Sequence, residues 1–171
     1  MQRPASATTF GILNIIFAGL GVFGLVASIT LLTVMDTRNP VVRIIQNNPA
    51  YAAWMKLSVP LGLLSCAILL TAGIGLLRMK NWARLLSIGY AIYAILFGIV
   101  GIVINFLFLV RPMLEEASHK QGPEAAGEIG GAIGGGIGGC IGLVYPVLLL
   151  IFMTRPKLVA AFRATNPPPL P

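Results

Sequence analysis

The 171 residues are 57% hydrophobic and 10% charged, with a mean hydropathy of +0.89. A soluble domain carries about 25% charged residues, so the composition excludes one and marks an integral membrane protein. The net charge of +7 flanks apolar runs rather than gathering with aromatics on a solvated motif, which excludes nucleic acid and points to anionic lipid headgroups.

Residues 1–9 form a short polar lead with a single charge, Arg3. Residues 10–164 read as one all-α transmembrane domain, a bundle of four helices with spans at about 10–35, 57–77, 85–110 and 129–153. Each is near or above the ~20 residues that cross the hydrocarbon core. The first span is longer than the ~7–15 residue apolar core of a cleavable signal peptide, so it is expected to be retained. Within it, Gly24-x-x-x-Ser28 is a small-residue pair suited to close helix contact.

In the first connection, Asn39-Pro40 and Asn48-Pro49 each read as an N-cap followed by proline at the first helical position. Tyr51 and Trp54 precede the second span, where amphipathic rings favour the headgroup level. Pro60 falls in the first turn of that span, where a missing N–H costs little. The span ends in the tight basic turn Arg78-Met79-Lys80-Asn81-Trp82-Ala83-Arg84. Arg111-Pro112 closes the third span, and residues 113–128 read as an acidic connection. After the fourth span, Arg155-Pro156-Lys157 leads to residues 158–163, expected on the membrane surface, and residues 165–171 form a proline-rich tail expected to be disordered.

The fourth span contains the most specific pattern in the chain. Eight of the thirteen residues from Gly130 to Gly142 are glycine, a density that resembles a linker. At helical spacing they sort into rows: Gly127, Gly131, Gly135 and Gly139 in one, and Gly130, Gly134, Gly138 and Gly142 beside it. Ile129, Ile133, Ile137 and Ile141 form a third. At about 100° per residue the glycines occupy roughly half the circumference, which predicts a continuous helix over 129–153 with one bare backbone face, a glycine zipper. Each glycine costs up to about 1 kcal/mol relative to alanine in water, and close packing against another helix is the available compensation. The leading expectation sets Gly131, Gly135, Gly138 and Gly142 against a neighbouring helix of the same bundle. Self-association comes second, and a pore last, because nothing polar accompanies the face.

Arg3, Arg78, Lys80, Arg84, Arg155, Lys157 and Arg163 fall on one side of the membrane with no acidic residue, whereas the other side carries five basic and five acidic residues. The positive-inside rule therefore places both termini in the cytoplasm. The expected lipid-headgroup contacts are Arg78, Lys80, Trp82, Arg84, Arg155, Lys157 and Arg163. A faint repeat links Ile15–Gly21 to Ile95–Gly101, eighty positions later, and admits a parallel duplication of two helical hairpins.

Chemistry is sparse. The G-x-G-x-x-G match at Gly134, Gly136 and Gly139 has neither a preceding strand nor a following acidic residue at the spacing a nucleotide site needs. Glu116-x-x-His119, with Glu115 alongside, resembles half of a carboxylate-bridged metal site, and a solvated juxtamembrane turn explains it better. Cys66 and Cys140 lie within spans at similar depth, and packing roles outweigh a disulfide. No Asp, Glu, Lys, Arg or His lies inside any expected span, which argues against a pump. Asn14 and Asn105 are expected to hydrogen-bond between helices. No enzyme, cofactor or metal is expected.

At Leu76-Leu77-Arg78-Met79-Lys80-Asn81-Trp82-Ala83-Arg84, at Tyr145-Pro146-Val147-Leu148-Leu149-Leu150 and at Gly11-Ile12-Leu13-Asn14-Ile15-Ile16, the chain resembles small bacterial four-span inner-membrane proteins of uncharacterised function. The resemblance covers most of the chain and implies a location, the inner membrane, but no activity. The cysteine signatures of tetraspanin and claudin outer loops are missing. The sequence thus leads to a structural or interaction protein, with membrane lipids and a homo-oligomer or membrane-protein partner as its contacts; a small channel or transporter component is the alternative.

Overall fold

The computed structural model describes residues 5–34, 40–119 and 123–165. Among them there is no strand. The elements are α1 (Ala5–Val34), α2 (Pro40–Asn47), α3 (Pro49–Leu77), α4 (Asn81–Asn105), a π-helical turn (Phe106–Val110), α5 (Arg111–Ser118), α6 (Pro123–Thr154) and α7 (Pro156–Thr165). Four helical stretches are long and apolar enough to cross a membrane: Ser6–Thr30, Pro49–Leu77, Asn81–Ser118 and Ile129–Thr154. This is the all-α four-helix bundle of a membrane protein.

The element ends follow local chemistry. Asn48 caps α3, its side-chain oxygen accepting from the Tyr51 N–H at 3.1 Å, with Pro49 in the first turn. The helix therefore starts well before residue 57, and Lys56 lies inside it. Pro40 opens α2; its expected cap Asn39, like the 166–171 tail, lies outside the described residues. At the other end of α3, Met79 takes a left-handed backbone (φ 53°). Its N–H donates to the Leu76 carbonyl and that of Lys80 to the Gly75 carbonyl, both at 3.0 Å. This is a Schellman turn with methionine where glycine is usual. The strain of about 1–2 kcal/mol is opposed by burial of the Met79 side chain in the core.

The third span does not stop at Arg111-Pro112. The helix continues to Ser118 through the π turn, in which the Arg111 N–H reaches back to the Phe106 carbonyl. A proline in an α-helix lacks an N–H and crowds the carbonyl four residues back. The wider turn accommodates both defects, so the chain bends its ladder instead of ending it. Residues 113–128 are accordingly mostly helix rather than an open connection.

α1 packs along α3, α3 along α4, and α4 along α6, with α5 also against α6. The closest backbone approaches are made by glycines of the first hairpin. A Cβ added at Gly73 would sit 2.8 Å from the Gly11 carbonyl oxygen, and one at Gly75 would sit 2.5 Å from the Ala83 Cβ. α1 and α6 approach far less closely. Large side chains bridge them instead: Phe10 and Phe152 with ring centroids 5.0 Å apart, and Phe17 and Tyr145 at 4.2 Å.

The buried core gathers towards the end of the bundle that bears Arg78, Arg84 and Arg155. It joins Ala7 and Phe10 of α1, Leu76 and Met79, Ala83 and Ala91 of α4, Leu149 and Met153 of α6, and Leu158 and Phe162 of α7. α7 was expected as a surface segment, yet it seats Leu158 and a fully buried Phe162 beneath the bundle. The start of α1, the α3–α4 turn and α7 therefore meet at one end, hereafter the basic end. At the opposite end, Arg43 of α2 pairs with Glu116 of α5 at 2.5 Å, and Arg111 pairs with Glu115 at 3.0 Å.

Candidate functional site

The fourth span is a continuous helix, as its row pattern predicts. What surrounds the rows differs from the expected packing. Leu143 fills the notch at Gly98 of α4, where an added Cβ would meet its side chain at 2.5 Å. Gly139 faces Ile102 at 3.2 Å and Gly131 faces Met113 at 3.8 Å on the same measure. One row is thus turned towards α4 and α5, and Gly131, Gly135 and Gly139 line a cavity there. Gly130, Gly134 and Gly138 of the second row face away. At these three, and also at Gly127, Gly135 and Gly142, a Cβ would meet no atom within 4 Å, although Gly142 borders the cavities that flank α6.

The expectation that Gly131, Gly135, Gly138 and Gly142 pack together on a helix of the same bundle is therefore corrected. The two rows lie on different stripes of the helix, and α6 has a close neighbour on one side only. Ile133, Ile137 and Ile141 border the outer row and are more than half exposed. A Cβ added at Gly24 would likewise meet no described atom within 4 Å. Gly24 and Ser28 are both exposed, and the Ser28 hydroxyl donates to the Gly24 carbonyl of its own helix at 2.8 Å.

Two apolar cavities flank α6 because its neighbours touch it unevenly. The first, about 680 Å3, lies between α1, α3 and α6, with Leu13, Phe17, Gly21 and Leu25 on one wall, Gly62, Ser65, Cys66 and Leu69 on the second, and Ile141, Val144, Tyr145 and Leu148 on the third. The second, about 750 Å3, lies between α3, α4 and α6, bounded by Trp54, Met55, Phe97, Ile102, Asn105, Phe106, Met113 and the inner glycine row. Tyr90, Gly142 and Pro146 border both. The first is nearest mid-depth, and the second runs from there towards the end opposite the basic residues. Volumes of this size, with apolar walls and a few polar groups, suit a small apolar or amphipathic ligand.

Polar side chains tie the walls together. Tyr145 donates through its hydroxyl to the Asn14 side-chain oxygen, linking α6 to α1. Tyr51 donates to the Asn105 side-chain oxygen at 2.7 Å, linking α3 to α4, and the Asn105 amide donates to the Gly101 carbonyl at 2.8 Å. Both asparagines do join helices. Tyr51 and Trp54, expected at the headgroup level, turn towards the bundle: Tyr51 is buried, and Trp54 stacks on Phe97 with centroids 5.0 Å apart. Their partners lie on α4, which sequence spacing could not place opposite them.

At the basic end, Arg78, Lys80, Arg155 and Lys157 are exposed, as is Trp82. Arg155 lies over the Phe152 ring at 4.2 Å, and half-buried Arg84 donates to the Met153 carbonyl at 3.4 Å. Among the described residues, none of these cations forms an ion pair with a carboxylate. The Arg163 side chain lies outside the described residues. Glu116, the first member of the Glu116-x-x-His119 pattern, is engaged by Arg43, and no group of three metal-ligating side chains occurs among the described residues. Cys66 and Cys140 are free and line opposite cavities.

No protein-family model, curated protein or solved structure matches the chain.

The residues that sequence reading missed are Gly11, Gly73 and Gly75, which are among the close-contact glycines, together with Tyr90 and Tyr145. The glycines carried only a weak signal, since single small residues on apolar helices are common. Their roles depend on which helices become neighbours.

Proposed function

We propose that the chain is an integral membrane protein of structural or interaction type, which assembles with another transmembrane helix through the outer glycine row of α6. The observation that carries this reading is the open space at Gly130, Gly134 and Gly138, beside the exposed ridge of Ile133 and Ile137. Small residues four apart let two backbones approach closely in lipid, where packing rather than the hydrophobic effect drives helix association. The glycines that this chain leaves uncovered are compensated only when a second helix lies on them. Gly24 and Ser28 of α1 offer a second, smaller patch of the same kind.

The same reading sets the basic end in the cytoplasm of a bacterial cell, against anionic headgroups of the inner membrane. Arg78, Lys80, Arg84, Arg155, Lys157 and Arg163 carry it, with Trp82 at the headgroup level. It is a non-enzymatic role, and it assigns no cofactor.

Native mass spectrometry from lipid nanodiscs tests the assembly. A dimer or higher oligomer, or a co-purifying membrane partner, is expected for the natural chain. Gly134→Leu with Gly138→Leu should release a monomer, because both leucines enter open space and leave the bundle intact. A natural chain that stays monomeric and unaccompanied across lipid compositions would falsify this reading.

A small channel or transporter component is the second reading, favoured by two cavities that meet at Tyr90, Gly142 and Pro146. It requires solute flux in proteoliposomes.

A further inference from the structure

We propose that the cavity between α1, α3 and α6 is a binding site for one acyl chain of an anionic phospholipid whose phosphate rests on Arg84 and Arg155. This goes beyond assembly through the outer glycine row, and it rests on the basic end facing headgroups.

Three observations converge. First, the gap between α1 and α6 is held open rather than left loose. Phe10–Phe152 and Phe17–Tyr145 wedge the two helices apart at ring-centroid distances of 5.0 and 4.2 Å, and the Asn14–Tyr145 hydrogen bond fixes the wedge. A cavity of about 680 Å3 remains between them. An apolar space of that size beside hydrocarbon takes up an apolar chain, since an empty one forfeits the dispersion contacts of its lining.

Second, the depth fits a lipid from the basic-side leaflet. Val144 and Leu148 line the cavity, and Arg155, at the break between α6 and α7, follows Val144 by eleven residues. At about 1.5 Å per residue that separation is about 16 Å, close to half of the ~30 Å hydrocarbon core. A chain that enters the cavity therefore puts its headgroup at the level of Arg155.

Third, the charge at that level matches a phosphate. The Arg84 guanidinium bridges from α4 to the Met153 carbonyl, and Arg155 is held over Phe152. Phe152 is the same ring that packs on Phe10 at the mouth of the gap. Among the described residues, neither arginine forms an ion pair with a carboxylate. The pair thus sets two cations beside the last turn of α6, at the basic end of an apolar slot, and their net positive charge favours a net-anionic headgroup over a zwitterionic one.

The experiment reconstitutes the full chain in vesicles doped with a phospholipid carrying a diazirine near the end of one acyl chain. Phosphatidylglycerol and phosphatidylcholine versions are compared, and adducts are mapped by mass spectrometry. With phosphatidylglycerol, adducts should concentrate on Ser65, Cys66 and Tyr145, inside the cavity, over Phe23 and Leu96 on the outer surface. Phosphatidylcholine should give fewer cavity adducts. Arg84→Gln and Arg155→Gln should each reduce the phosphatidylglycerol signal in the cavity by about fivefold, the loss of one basic contact near the membrane surface, and leave the outer-surface signal unchanged. Ser65→Phe, which fills the slot without removing an interhelical bond, should abolish cavity adducts while headgroup preference in vesicle binding persists.

Adducts confined to Phe23, Leu96 and other outer positions overturn the proposal, and this result on the natural chain needs no variant to fold. Equal cavity labelling by both lipids, insensitive to Arg84→Gln, overturns the headgroup assignment. Both outcomes are independent of oligomeric state, so failure here and failure of the glycine-row reading are distinguishable.

Discussion

The Tyr145 hydroxyl donates to the side-chain oxygen of Asn14, joining the fourth span to the first where their backbones make few close approaches. Asn14 is fully buried, and its amide nitrogen finds no acceptor among the described residues. Among the described residues the tyrosine is therefore the asparagine's only side-chain tie. Tyr145→Phe leaves a buried amide wholly unpaired and should cost about 1–3 kcal/mol. The double variant Asn14→Leu with Tyr145→Phe removes both polar partners and should recover most of that loss. Equilibrium unfolding in mixed detergent micelles measures both, and a double variant less stable than the single one would contradict the argument.

Glycine substitutions should separate structural glycines from the exposed row. Gly73→Ala drives a methyl to 2.8 Å from the Gly11 backbone oxygen, with Ile15 and Asn14 at 2.9 and 3.0 Å. The backbone cannot yield as a side chain can, so the α1–α3 pair must separate, with a cost of about 1–3 kcal/mol as for overpacked cores. Gly138→Ala meets nothing and should leave the monomer unchanged or stabilise it by up to about 1 kcal/mol through helix propensity. Thermal melts in detergent, where the chain is dispersed as monomer, should show opposite shifts.

Anchoring of α7 should be visible as stability rather than as membrane affinity. Phe162 is fully buried among Ala7, Phe10, Met79 and Met153. Phe162→Ala should cost about 3–5 kcal/mol, the usual range for a buried aromatic cut to alanine. Limited proteolysis would then cut near Arg155, whereas an unchanged pattern would mean that α7 docks without that ring.

The Arg43–Glu116 pair ties α2 to α5 at the end opposite the core, with side chains 46% and 34% exposed. Solvent screening at that exposure limits it to about 0–1 kcal/mol. A double-mutant cycle with Arg43→Ala and Glu116→Ala should give a coupling in this range that fades as salt is raised to about 1 M. A coupling that ignores salt would show that packing, not charge, joins the two elements.

The fold class was legible in the sequence because each apolar run must satisfy its own backbone in lipid, and only a helix does so within one segment. That requirement is local, and it also carried the continuous helix through the glycine tract of α6. Two boundaries were misjudged for local reasons as well. Pro112 is absorbed by a π turn, and Asn48-Pro49 starts a helix that residue 57 was expected to open. Neither outcome can be read from proline alone, since its effect depends on how the preceding carbonyls are arranged.

The pairing of faces was not legible. The two glycine rows of α6 are almost identical in sequence, yet Gly139 meets Ile102 while Gly138 meets nothing. The difference arises because α4 lies along the side of α6 that bears Gly139, whereas no described atom lies within 4 Å of a Cβ built on Gly138. Likewise, Tyr51 and Tyr145 look like ordinary aromatics near or within a span, and each becomes a helix tie only when Asn105 or Asn14 arrives opposite it. The sequence by itself determined that there are four spans, where their basic ends lie and that α6 has a bare face, because those properties follow from each segment meeting the bilayer alone. Tertiary structure alone decided which glycines are covered and where the cavities open, because both depend on contacts between segments far apart in the chain.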